Sequence, residues 1–147
     1  MRFTILLILF SINIYAQSTN INRIELIHKH SKQNFSTKIF IDCPQNEKKS
    51  ITLKACIGEK CKDTIINRET FDTIYLSLIK ISPKNMIADF EIGKDGATTT
   101  IKFGKNSNEI SYSKWDLDKA DKTLDLDFLK SVQLILKVAN LKIDNLN

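Results

Sequence analysis

Glycine is scarce, with four in 147 residues, and none of them builds a phosphate-cradling loop. Histidine is scarcer still. His28 and His30 lie two apart on an expected strand, so they face the same side. A zinc site needs three or four ligands, and no third histidine exists. Cys43 would have to be brought in from elsewhere, so two partly exposed strand histidines are the expectation. No Gly-x-Ser-x-Gly elbow occurs, and nothing in the spacing of the cysteines and histidines suggests a nucleophilic dyad. Lysine and arginine exceed the acids by five, yet the lysines are spread along the chain apart from a cluster at Glu47-Lys48-Lys49. A basic block with interleaved aromatics, the footprint of a nucleic-acid binder, is missing. A solvated, mildly basic surface is the expectation, and an acidic partner or an anionic envelope surface is the second reading of that charge. The chain shows no internal repeat, low-complexity stretch or linker.

No apolar run reaches the roughly 20 residues that a spanning helix requires. The run that comes nearest, Phe3 to Phe10, follows Met1-Arg2 and is interrupted at Asn13 and Gln17. A basic start, a short apolar stretch and a small residue at the cleavage point form the layout of a secretory signal. Ile14 at −3 and Ala16 at −1 fit a signal peptidase. Residues 1–16 are therefore expected to be removed, leaving residues 17–147 as one domain without stable membrane insertion. Cysteine does not follow the apolar run, so no lipid anchor is expected there. A twin-arginine pair is also missing, so export should be of the unfolded chain. The product would be periplasmic or extracellular.

Three cysteines, Cys43, Cys56 and Cys61, would meet an oxidising compartment, where a pair is expected to bridge. Three is odd, so at least one thiol is free or pairs between chains. Cys56-Ile57-Gly58-Glu59-Lys60-Cys61 reads as two strand ends joined by a tight turn, which sets Cys56 opposite Cys61. Ile51, Leu53, Ala55 and Ile57 share one strand face, placing Cys56 on the other. Cys43 continues the face of Ile39 and Ile41. Cys43 is thus expected to be a buried thiol, Cys56 unburied, and Cys56–Cys61 the bridge.

From Ile24 to about Ile66 the apolar period is two, the signature of strands. Four strands are expected, over 24–30, 35–42, 51–57 and 61–66. Asn67 then suits a helix cap, with Glu69 in the first turn. Phe71, Ile74, Tyr75, Leu78 and Ile79 make one apolar stripe, and Ser82-Pro83 stops the helix. Ala88, Phe90 and Ile92 predict a further strand, turned by Asp95-Gly96 into Thr98–Phe103. Glu109 to Trp115 returns, and a last helix spans about Leu124 to Asn140 through Phe128, Val132, Ile135, Leu136 and Ala139. The order ββββ-α-βββ-α defines an α+β domain, a mainly antiparallel sheet with two amphipathic helices on one face.

Asp95-Gly96-Ala97-Thr98-Thr99-Thr100-Ile101-Lys102-Phe103, then Ile110-Ser111-Tyr112-Ser113-Lys114-Trp115, then a Leu-rich helix, resembles small exported bacterial proteins of unassigned function. The resemblance covers about the last third of the chain. It implies the same architecture and an envelope setting, and brings no activity with it.

The acidic stretch from Asp116 to Asp121, with Asp125 and Asp127, lacks the glycine and glutamate spacing of a calcium loop. Interleaved Lys114, Lys119 and Lys122 neutralise it, so a solvated loop leading to a helix cap is expected. Asp89 and Glu91 share a strand face without the paired geometry of glycoside hydrolysis. Asn34-Phe35-Ser36 is a formal glycosylation sequon. Trp115, with Tyr112 nearby, belongs to the residue types that anchor interfaces, against the alternative that Trp115 closes the core on the last helix. With no cofactor or metal expected, the reading is an exported non-catalytic protein-binding domain, of the inhibitor or immunity type. The alternatives are a small secreted hydrolase whose site only the fold assembles, and an envelope structural or assembly factor.

Overall fold

A computed structural model describes residues 21–32, 36–46, 48–88, 96–105, 107–117 and 125–142. The expected signal segment lies outside them. Four strands come first: β1 (Arg23–His30), β2 (Ser36–Asp42), β3 (Ile51–Ile57) and β4 (Lys60–Ile66). Helices α1 (Arg68–Leu78) and α2 (Pro83–Ala88) follow, then β5 (Ala97–Lys105), β6 (Asn108–Trp115) and helix α3 (Leu126–Val138). The strands form one antiparallel sheet in the order β4-β3-β2-β1-β5-β6. The fold is α+β.

Each element has a local cause. The β3–β4 turn holds Gly58 at φ 59°, the left-handed conformation that the first central residue of a two-residue hairpin turn adopts and that glycine tolerates best. Asn67 caps α1 by accepting a hydrogen bond from the Thr70 amide at 2.8 Å, and Glu69 stands in the first turn. Phe71, Ile74 and Leu78 are its buried residues, whereas Ile79, expected in the stripe, is 52% exposed.

Two expectations fail between α1 and β5. Ser82-Pro83 was to end a helix and lead to a strand, but α1 already ends at Leu78 and Pro83 opens a second helix. Proline suits a first helical position because its fixed φ is helical and its missing N–H has no partner to lose. The amides of Asn85 and Met86 accordingly donate to the Ser82 carbonyl. Ala88, expected to begin a strand, instead ends this second helix, and Asp95 of the expected turn lies outside the described residues. β5 has its two flanks occupied by β1 and β6, leaving no ladder for a preceding strand. Phe90 and Ile92 lie outside the described residues.

The core gathers alternate residues of the sheet with the helices. Ile24, Leu26, Ile39, Ile41, Leu53, Ile101 and Phe103 form one cluster with Phe71, Ile74 and Leu78 of α1 and Phe128, Val132, Ile135 and Leu136 of α3. Burying side chains of this size contributes about 1.5–3 kcal/mol each. Among the described residues, no helix is long and apolar enough to cross a membrane.

Candidate functional site

Strand parity gives the sheet two unlike faces. The even positions of β1 and the odd positions of β2 and β3 face the helices. The complementary positions make an outer face, whose side chains stand apart from the core cluster that the helices share. Half-buried Ile27 and Phe40 lie near its middle. Exposed Arg23, Lys29, Lys38, Asp42 and Lys54 surround them. Arg23 stacks over the Phe40 ring, 5.8 Å from its centroid, and reaches Glu25 at 3.9 Å. On the next strand pair, Lys102 and Glu109 approach to 3.8 Å. The surface is therefore of mixed charge, with apolar side chains set into it.

Trp115 stands at one corner of this face. It ends β6 opposite Thr98, and its ring lies on Gly96, where a Cβ would come within 2.5 Å of the indole Cζ2. The Gly96 carbonyl accepts from the Ser31 amide at 2.8 Å, and the Ala97 carbonyl from the Asp116 amide at 2.7 Å. The indole is half-buried in this corner. It does not belong to the core cluster with the last helix. Tyr112 is placed differently: it faces the helices, packs against the core and lies 6.1 Å from the Phe103 ring. The two aromatics occupy opposite faces and do not make one patch, a distinction that three positions of spacing on a strand already implies.

Across the helix side runs a polar row for which the hydrophobic pattern gives no sign. Lys114, Thr99, His28 and Thr37 are successive register partners on β6, β5, β1 and β2, and all are buried. His28 Nδ1 and Thr99 Oγ1 are 2.8 Å apart. Burial, and then the charge of His30, push the His28 pKa below 6.5. At the end of the row the Lys114 ammonium lies 3.0 Å from an Asp125 carboxylate oxygen, both side chains buried. Asp125 was expected near the N-terminus of the last helix, where a solvated loop leads into its cap. It is instead 1% exposed, and its side chain makes no cap hydrogen bond on α3. The row is enclosed, so its chemistry is that of a strut: it ties the start of α3 to β6. His30 accepts from the Lys32 amide at 3.2 Å, and no metal-binding cluster occurs among the described residues.

The cysteines divide as expected in pairing. Cys56 and Cys61 are bonded and directly opposite in register, with Cα atoms 4.1 Å apart. Cys43 is a free, buried thiol that accepts from Arg68 Nη1 at 3.2 Å. Burial raises its pKa, Arg68 opposes the rise and Asp72 adds to it. One detail differs: Cys56 is only 8% exposed, although it projects on the outer face. Its side chain is small, it sits on an interior strand, and its sulfur is covered on one side by Cys61.

A cleft of about 550 Å³ opens at the other end of the helix side, between α1 and the β5–β6 turn. Ile21, Tyr75, Ile79, Phe103 and Ile110 give it an apolar lining, with Glu109 at the rim. Gly104 is required there, since a Cβ would stand 2.0 Å from the Asn108 carbonyl oxygen. The cleft is the apolar kind of concavity, not one in which titratable groups converge.

No protein-family model matches this chain, and no curated protein matches it in sequence.

Proposed function

We propose that this chain is an exported, non-catalytic protein-binding domain of the envelope or periplasm, of the inhibitor or immunity type. It holds its partner on the outer face of the sheet, around Trp115. The observation that carries this reading is that face: six strands wide, outside the helix-packed core, with an indole at its corner and Phe40 at its middle. Tryptophan and arginine are enriched among the residues that dominate binding energy. The buried histidine and the buried ion pair are enclosed by the core, so they serve the fold. The formal charge of +5, reduced by one when Arg2 is removed with the signal, matches an acidic partner.

The test is affinity capture with residues 17–147, oxidised, against envelope and culture proteins, followed by titration of the captured partner. Trp115→Ala weakens binding by about ten-fold or more, and raised salt weakens it further. Cys43→Ala leaves it unchanged. Binding indifferent to Trp115→Ala, or turnover of a substrate abolished by Cys43→Ala, would overturn the proposal.

A further inference from the structure

We propose that the Cys56–Cys61 bond is a thiol–disulfide exchange site, opened in the folded protein by an external thiolate that attacks Cys61. The bond lies at the margin of the sheet, because β4 is an edge strand. Its two sulfurs belong to unequal residues. Cys61 is exposed on β4, whereas Cys56 is buried on interior β3. Exchange requires access along the line of the attacked sulfur, so the incoming thiolate bonds to Cys61 and Cys56 is the leaving group.

The leaving sulfur has a lysine as its cross-strand neighbour. Lys38 is the register partner of Cys56 on β2 and is exposed on the same outer face. Directly opposite residues have Cβ atoms about 4.5–5.5 Å apart, which brings the ammonium within range of a Cys56 thiolate. A positive neighbour lowers a thiol's pKa, and a leaving thiol of lower pKa departs faster. Cys43 does not compete as an internal attacker, since it is buried and faces the helices. The bond also constrains the chain less than a long-range bridge would. It bridges a sequence separation of five, where loop-closure entropy is small, and the β3–β4 ladder runs from Ile51↔Ile66 to Ile57↔Lys60. Opening it therefore leaves the sheet intact.

The reactant class is a thiol, either a low-molecular-weight monothiol or a dithiol. Its thiolate forms a mixed disulfide with Cys61, and the electron pair of the broken S–S bond goes to Cys56, which leaves as thiolate. A second thiolate attacks the external sulfur of the mixed disulfide and releases Cys61 as thiolate. The protein gains two electrons and two protons in all, and two thiols become one disulfide.

Reduction by glutathione at neutral pH, quenched by alkylation and read by mass spectrometry, tests this on the oxidised chain carrying Cys43→Ser. Peptide mapping of the unsubstituted chain supplies the same reading should that variant not fold. The native chain is expected to be reduced within about ten-fold of the rate of the chain unfolded in guanidinium. The transient glutathione adduct maps to Cys61, and far-UV circular dichroism stays unchanged. Lys38→Gln slows the reaction at least about two-fold, and Lys38→Arg restores it. Dithiothreitol reduces the bond without a lasting adduct. Native reduction slower than that ten-fold margin, an adduct on Cys56, loss of the fold on reduction, or indifference to Lys38→Gln would each overturn the proposal.

Discussion

Lys114→Met isolates the buried ion pair. The ammonium lies 3.0 Å from the Asp125 carboxylate, and the two side chains are 5% and 0% exposed. Methionine keeps most of the lysine stem and its packing while removing the charge. Taking one partner from such a pair leaves the other charge in a medium that solvates it poorly, at a cost of about 3–5 kcal/mol. Each kcal/mol lowers Tm by about 3–6 °C in a domain of this size, so Lys114→Met should melt about 9–30 °C lower. Urea unfolding followed by circular dichroism supplies the free energy directly. Asp125→Leu alone should cost a similar amount. The double variant should regain most of the loss, because a well-packed apolar pair can replace a buried ionic one at little or no cost. A Lys114→Met variant within about 1 kcal/mol of the parent would refute the reasoning, as would two losses that simply add in the double variant.

Stability should also depend on pH through His28. Its pKa in the fold lies below 6.5, so the unfolded chain binds the proton more readily. The full stability is present above pH 6.5 and declines as pH falls below it, until the folded-state imidazole also protonates. Urea midpoints measured from neutral to mildly acid pH check this, and His28→Gln should flatten the slope; a midpoint that rises with acid would exclude the account. Gly96→Ala puts a methyl group where the Trp115 ring lies, which should cost about 1–3 kcal/mol. The chain has a single tryptophan, so the ring's displacement should shift the emission to the red, and an unaltered spectrum would contradict the described packing.

Much of this architecture is legible in the order of residues. The period of two from Ile24 to Ile66, the Asn67 cap, and the stripe from Phe128 to Leu136 each express a local rule, and each marks an observed element. The Cys56–Cys61 bond is legible for the same reason, since a tight turn fixes which residues stand opposite. Neighbours in the sheet are a different matter. Alternation at Thr98–Phe103 says that a strand exists and which residues face inward, but not that β1 will lie beside it. The short helix at Pro83 is hidden because the residue before proline reads equally as an end and as a cap. Lys114, Thr99 and His28 escape notice because a buried polar group is marked only by its partners, which come from remote strands. Their row becomes visible once β1, β5 and β6 are in register.

The central place of β1 has a consequence in time. Strands β1 to β4 are joined by short connections and can pair with one another early. One flank of β1 must wait for β5, some 71 positions away along the chain as His28 and Thr99 measure it. Closing so long a loop is slow relative to forming a hairpin. Until β5 arrives, the chain presents an unfilled ladder beside Ile24 and Leu26, which is the kind of edge on which other chains aggregate. The last hairpin thus acts as a closing seal: a chain cut before Ala97 would keep all four of its first strands and still be sticky.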